Sequence, residues 1–463
     1  MPGVRRARRE HRTAREGGRA RNPRLAHPAH RRERDLARAG RGDSTVLSSL
    51  ADRIRGIVTT QKSVADAAIS RIPHENGSRI PNPGESRIPN PGCRDLSALG
   101  GTRSGDCFVV ERRWERGVRH GRETIGAMAE RLAHAAPYAP LFTANALARP
   151  PFVFFDLGCG SFADDGSFMV RQFLVTASRE ERPLLETVAE ILNGAGALVT
   201  FNGKSFDAPL LETRYLFHRL EWTGGHVPHV DVLHAARRFW NLGDCSLSSL
   251  EKHVVGARRV ADVDGFEVPA RYFQFVRTGN VEPLVAVLEH NRLDLLTLAA
   301  LTSRLFHLAR TGSAEARTAR EALALGQVFA RAGMDVQARE AFERAIALSA
   351  APAGAFDATK IDALRALAIA WRRVRRFDEA ARCWRELLDI RGCPEIVARE
   401  ANEALAIHHE HRVRDLAAAK TFALRGLEAA AYPAPTTWTR AVHHRLARLD
   451  RKILRVEGLK FEV

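Results

Sequence analysis

Residues 197–215 read A-L-V-T-F-N-G-K-S-F-D-A-P-L-L-E-T-R-Y, and this stretch decides the fold. Its apolar and β-branched beginning, L-V-T-F at residues 198–201, predicts a buried strand. The strand is followed by Asn202 and Gly203, which both tolerate a positive φ and therefore predict a tight turn. Strand and turn together indicate the start of a strand–turn–helix unit of the kind found in α/β proteins.

The helix of this unit is predicted to begin with Ser205 as its N-cap and to continue to about residue 219. Asp207 falls in its first turn, at the carboxyl end of the strand, where open α/β sheets form ligand sites. A carboxylate held there can bind a divalent cation. Taken alone, Asp207 is explained as well by its favourable interaction with the helix N-terminus.

Strands and helices alternate on both sides of this unit. Strands are predicted at residues 107–112, 152–156, 167–175, 197–201 and 229–231, and helices at residues 120–135, 180–193, 205–219, 232–240, 247–255 and 281–308. Such alternation predicts an α/β layer with a partly parallel sheet. We assign it to a domain over residues 106–310.

The chain from residue 311 to residue 463 is predicted to be entirely helical. A small residue followed four positions later by an aromatic one occurs three times, at offsets of 42 and 38 residues: Ala338/Phe342, Ala380/Trp384 and Ala418/Phe422. The pattern is similar to tetratricopeptide-type helix pairs, whose period is about 34 residues. We expect a small α-solenoid that either docks a protein partner or caps the α/β domain.

The first 105 residues are predicted to be disordered. Residues 1–42 contain 14 Arg and 4 acids, so they carry about +10 of the net charge of +17, and the remainder carries +7. Proline-rich S-R-I-P copies begin at residues 70, 78 and 86, and proline at this density is incompatible with helices and central strands. We expect a solvated tail rather than a dedicated nucleic-acid-binding arm.

Composition excludes several classes of protein. The six cysteines include no C-x-x-C pair, which argues against a zinc ribbon or a disulfide framework and favours the reducing cytoplasm. No run of 18 apolar residues occurs, so we expect no membrane-spanning helix. The Arg-rich start is not followed by an apolar segment, so we expect no secretory signal.

Four polar clusters lie where predicted strands end or on the last helix of the α/β domain: Asp156; Asn202 with Asp207; His229 with Asp231 and His234; and His290 with Asn291 and Asp294. His290 and Asp294 are four residues apart and therefore share a helix face. Acids in such apolar surroundings need a partner or a metal ion. Several converging acids suit a two-metal site for phosphodiester hydrolysis, with a nearby histidine acting on the water.

Five segments resemble the YprB-type RNase H-like exonuclease domains of the DEDD superfamily: F-F-D at 154–156, F-N-G-K-S-F-D-A-P-L-L at 201–211, H-V-D-V-L-H at 229–234, G-F-E-V-P at 265–269 and H-N-R-L-D-L-L at 290–296. The resemblance covers roughly residues 107–310, and a tetratricopeptide-like tail is also typical of such proteins. It implies an RNase H-like mixed sheet flanked by helices. It also implies a 3′–5′ exonuclease that acts on single-stranded RNA or DNA ends with two Mg²⁺ or Mn²⁺ ions.

Site residues follow from the resemblance by motif position. Asp156, Asp207 and Asp294 are the implied metal ligands, and His290 stands where the family has its water-activating His or Tyr. Asn202, Lys204 and Asp231 are the expected contacts for nucleic acid.

The first motif departs from the family pattern. It should read D-x-E and continue through a hairpin before a G-C-G strand, but here Asp156-Leu157 leads directly into Gly158-Cys159-Gly160. We therefore expect a weakened metal site and a gap in the sheet. Two main hypotheses stay open: a metal-dependent 3′–5′ exonuclease, and a catalytically degenerate protein that binds nucleic acid or serves as a scaffold. A third is an interaction protein in which the helical tail alone matters.

Overall fold

The computed structural model describes residues 96–104, 107–135, 148–156, 158–259, 262–352, 354–428 and 437–458. All of them belong to one compact unit, Pro91–Val463. The predictions for the basic start and the proline-rich copies lie outside the described residues. The first described element is the 3₁₀ turn Ser97–Leu99, so the fold includes residues before the predicted domain boundary at residue 106.

A mixed seven-stranded sheet forms the centre of the α/β part, in the order β1-β2-β7-β6-β5-β8-β9. β5 pairs in parallel with β8, and β8 with β9, whereas the other pairings in this sheet are antiparallel. The remaining two strands, β3 and β4, form a separate ribbon. The strands are β1 Thr102–Ser104, β2 Cys107–Trp114, β3 Arg119–His120, β4 Glu123–Thr124, β5 Phe152–Phe155, β6 Gly158–Phe162, β7 Phe168–Leu174, β8 Ala197–Thr200 and β9 His229–Asp231.

The predicted gap in the sheet is wrong, because β6 fills the place between β5 and β7. Phe155 pairs with Cys159 across the β5–β6 hairpin, and the Asp156 N–H donates to the carbonyl of Gly158 at 3.1 Å. The glycines that open β6 hid the strand, since glycine disfavours strands. Gly160 has a packing reason, because a Cβ there would lie 2.7 Å from the Phe168 ring.

Seven helices accompany the sheet among the described residues: α1 Ile125–Ala133, α2 Glu181–Asn193, α3 Asp207–Phe217, α4 Val232–Phe239, α5 Leu247–Leu250, α6 Val268–Thr278 and α7 Glu282–Thr311. Two predicted helix starts are wrong. α3 begins at Asp207, and its N-cap position is Phe206, which makes no side-chain cap. α1 begins after Thr124, whose side chain caps it, because the residues before it form the β3–β4 ribbon. α6 was not predicted.

One hydrophobic cluster joins the sheet to the helical tail. It contains Phe154 and Val199 of the sheet, Leu298 of α7, and Leu325 and Phe342 of the tail. Burial of so many large apolar side chains in one cluster is the main source of stability in a fold of this kind. The predicted boundary at residue 310 therefore separates an α/β part from a helical part of the same compact unit.

The tail consists of helices that each pack on the next: α8 Ala319–Arg331, α9 Asp335–Ala347, α10 Ala358–Arg373, α11 Phe377–Leu388, α12 Glu395–His408, α13 Leu416–Glu428 and α14 Thr437–Gly458. The predicted contact pairs Ala338/Phe342 and Ala380/Trp384 are buried. In the third pair the buried alanine is Ala419. The prediction of an all-helical tail is confirmed for its described residues, and its assignment to tetratricopeptide repeats stays a prediction.

Among the described residues, no helix combines the length and apolar character needed to cross a bilayer.

Gly326 is predicted to be required where α8 crosses α9. A Cβ at this position would lie 2.5 Å from the Phe342 ring and 3.2 Å from the Ala338 carbonyl oxygen. Gly326→Ala should therefore lower the free energy of unfolding by about 1–3 kcal/mol, measured by urea denaturation. Gly243→Ala is the matched control, since no atom lies within 4 Å of its Cβ position. Equal stability of the two variants would contradict this packing.

Candidate functional site

The turn after β8 carries Asp207 and is held by Asp231. Asn202 has φ 66, as predicted for this turn. The Asp231 carboxylate accepts backbone N–H bonds from Asn202 at 2.8 Å, Lys204 at 3.2 Å and Leu233 at 3.1 Å. With these three donors and only 5% exposure, Asp231 positions the turn. The geometry does not support its predicted contact with nucleic acid, whereas the Lys204 side chain is exposed and accessible.

Asp156, Asp207 and Asp294 come together beside the end of β5. Burial, together with the nearby Asp294 and Asp207 carboxylates, raises the pKa of Asp156 to about 7. Asn291 Nδ2 donates to Asp156 Oδ2 at 3.1 Å. The pKa of Asp207 is also raised, mainly by burial. The structure therefore assembles the three acids that the sequence singled out.

Arg259 binds the third of these acids and was missed by the sequence analysis. Its side chain is 6% exposed. Its Nη2 lies 2.6 Å from Asp294 Oδ1, its Nε lies 2.6 Å from Glu251 Oε2, and its Nη1 lies 3.2 Å from Asp262 Oδ2. Arg259 follows a π turn, Glu251–Val255, in an irregular segment. No periodic sequence pattern points to Arg259. The acids near it in the sequence, Glu251 and Asp262, were the only sign that it could form ion pairs.

His290 is part of the same network. Its Nε2 lies 3.2 Å from Asp294 Oδ2, and its Nδ1 lies 2.7 Å from Asp262 Oδ1. These contacts, the hydrogen bond to Asp294 first, raise the pKa of His290 to about 9. At neutral pH the ring is an imidazolium that donates from both nitrogens. In this state the ring can orient a water by donating a hydrogen bond but would have to lose a proton before it could accept one. The predicted action of His290 on the water stays a prediction.

Gly158 stands where the family motif has its glutamate. A Cβ there would lie 2.9 Å from the Arg171 carbonyl oxygen and 3.0 Å from Asn291 Oδ1. A single substitution therefore cannot restore the acid without displacing its neighbours. Asp165 does not replace it either, because it pairs with Arg113 and accepts from the Ser167 N–H at 2.9 Å in the turn before β7.

The residues present do not fit the two-ion site that the resemblance implies. The fourth carboxylate is absent from its expected place, and Asp294 already faces two cations of the chain, Arg259 and His290. Throughout the residues described above, no group of three or more His, Cys, Asp or Glu side chains is arranged to hold a metal ion. A buried acid is costly when it has no partner of opposite charge. For Asp294 this partner is supplied by Arg259 and His290 instead of a metal ion.

Asp156→Asn should stabilise the protein at alkaline pH. Because the folded-state pKa of about 7 lies above the ordinary 3.8, the folded state favours the protonated acid. The cost of its charge is absent below pH 3.8 and complete above pH 7. We expect a gain of about 2–4 kcal/mol at pH 8 that shrinks toward pH 5, measured by urea denaturation in EDTA. A pH-independent effect would contradict the assignment.

Arg259→Met should destabilise the protein strongly, because it leaves the buried Glu251 without its cation and Asp294 with His290 alone. We expect a loss of about 3–5 kcal/mol in the free energy of unfolding. Adding Glu251→Gln should recover part of this loss. Arg365→Met serves as control, because its pair with Glu400 is exposed and should be worth less than about 1 kcal/mol. A similar small effect of both arginines would show that the buried network does not form.

Comparison with known proteins agrees with this fold. Residues 146–306 match the RNase H superfamily, and this range includes β5 to β9 and most of α7. The chain is 27% identical over 371 residues to an uncharacterized protein of Bacillus subtilis, YprB, and the match covers 75% of this chain and 86% of YprB. The chain is therefore similar to YprB over most of its length, and its α/β part, built on the mixed sheet and α7, carries the match to the RNase H superfamily.

Proposed function

We propose that this protein binds single-stranded nucleic-acid ends in the cytoplasm through an RNase H-like site that no longer hydrolyses them. The observation that carries this proposal is the buried ion pair between Arg259 and Asp294. An acid neutralised by an arginine is not a free metal ligand, and no glutamate follows Asp156 at the D-x-E spacing, because Asp156-Leu157 leads directly into Gly158. Reducing surroundings fit the six cysteines of the sequence, which include no C-x-x-C pair.

Exposed apolar side chains beside Asp207 support nucleic-acid binding. Phe206, Leu210 and Phe217 are 64%, 63% and 69% exposed. They begin at the N-cap of α3 and are spaced four and seven residues apart, so they lie along one helix face. Exposed aromatic rings stack on unpaired bases, at about 1–3 kcal/mol per base. Lys204, also exposed, supplies a charge for a phosphate nearby.

Residual metal-dependent hydrolysis is the second candidate function. The raised pKa of Asp156, about 7, reflects burial together with the charges of Asp294 and Asp207. A cation bound between Asp156 and Asp207 would relieve this repulsion. Any such activity would depend on these two carboxylates, since Asp294 is engaged by Arg259.

Binding is tested by fluorescence anisotropy with end-labelled single-stranded RNA, single-stranded DNA and the matched duplexes, in EDTA and in Mn²⁺. We expect single strands to bind better than duplexes, with the same Kd in both buffers. Phe206→Ala should weaken binding about tenfold, in line with the loss of one stacked base. Phe356→Ala is the control, because Phe356 is also exposed, at 57%, but lies in the tail. No binding of any single strand would refute the proposal.

The same reactions, followed by gel electrophoresis, separate the two candidate functions. We expect intact strands after long incubation with Mn²⁺. Shortened products in Mn²⁺ that disappear in Asp207→Asn would show that the two remaining carboxylates still support hydrolysis. Products that persist in Asp207→Asn would point to a contaminating nuclease and would support neither candidate.

A further inference from the structure

The last helix of the tail, α14, carries much of the positive charge of the protein body. It contains six Arg or Lys residues and two acids, an excess of four, whereas the whole chain beyond residue 42 has an excess of seven. Because like charges repel, such a concentration on one helix is unfavourable without counter-charges. The cations on one face of α14 are paired with a buried acid of the tail, whereas those on the opposite face are exposed.

The inner face of α14 is anchored to the tail. Val442 and Leu449 are 6% and 0% exposed. Arg448 Nη2 and Lys452 Nζ each lie 2.8 Å from the carboxylate of Glu410, whose side chain is fully buried. These cations lower the pKa of Glu410 to about 2. The apolar residues and this ion-pair cluster fix the rotation of α14 about its axis.

The outer face of α14 presents Arg440, His444, Arg451 and Arg455, which we call the basic face. Their spacings of four, seven and four residues place them within about 60° around the helix and over about 22 Å along it. All four are exposed. Among the ion pairs of the described residues, none joins an acid to any of them, and the acid of this helix nearest to Arg451, Asp450, pairs with Lys420 instead.

We propose that the basic face binds the phosphate backbone of the single-stranded nucleic acid whose end is held by the α/β domain. This inference rests on the proposed function and adds a second contact surface to it. Arginine is suited to phosphate because its planar guanidinium donates two hydrogen bonds at once. Backbone contacts of this kind add affinity without reading sequence.

The chemistry of α14 favours nucleic acid over the other anionic partners. A membrane-bound amphipathic helix inserts its apolar face into the lipid, but here Val442 and Leu449 are already buried in the tail. A protein interface is usually built around an apolar centre. Leu454 lies beside the basic face and is 67% exposed, yet the face itself consists of three arginines and a histidine.

The test is the salt dependence of binding to end-labelled single-stranded RNA, comparing the full chain with the triple variant Arg440→Gln, Arg451→Gln, Arg455→Gln. Each phosphate contact contributes about 0.7 to the slope of log K against log salt for single strands. We expect the triple variant to lower this slope by about 2 and to weaken binding about tenfold or more at low salt. Circular dichroism verifies that the variant is folded.

The matched control is Arg372→Gln, Arg373→Gln, Arg375→Gln, which removes the same charge from exposed arginines at the end of α10. We expect the control to keep the wild-type slope. An unchanged slope in the α14 variant, or equal losses in both variants, would overturn the assignment to the basic face. So would α14-dependent binding to anionic lipid vesicles without an effect on RNA. If the wild type binds no single strand, the proposed function itself fails.

Discussion

The buried ion pair between Arg259 and Asp294 determines what the candidate site can do. The Arg259 guanidinium also binds Glu251 and Asp262. His290, which lies on the same helix as Asp294, contacts the other oxygen of the Asp294 carboxylate. A metal ion normally offsets the charge of clustered acids in sites of this type. Here two cations of the chain do so for Asp294. Among the described residues, no such cation pairs with Asp156 or Asp207, and the Asp207 carboxylate lies close enough to Asp156 to help raise its pKa.

The fold tolerates the shortened first motif because the sheet still has a strand, β6, between β5 and β7. β6 follows Asp156 after one residue and pairs with both of its neighbours, so the strand order of the sheet is uninterrupted. α7 then connects the sheet to the tail through one continuous hydrophobic cluster. The absence of a glutamate two residues after Asp156 therefore leaves the core closed, as expected when function resides in a few residues on a stable scaffold.

Sequence patterns predicted the α/β part well where periodicity is strong, and less well where the structure depends on tertiary contacts. β8, its Asn202 turn and α7 follow from apolar runs and turn residues. β6 escaped because its glycines carry no strand signal, although packing against Phe168 explains one of them. Motif positions identified Asp156, Asp207 and Asp294. Arg259 was not predicted, because it lies in an irregular segment and its pair with Asp294, 35 residues away, forms only in the folded chain.

The most direct test of this account is a titration of the purified, EDTA-treated full chain with Mn²⁺ in an isothermal calorimeter, without nucleic acid. If Arg259 already neutralises Asp294, the titration should show no binding in the micromolar range, and Asp207→Asn should behave like the wild type. Micromolar binding of Mn²⁺ to the wild type that is lost in Asp207→Asn would contradict the account. It would mean that the acids release Arg259 and assemble a metal site after all.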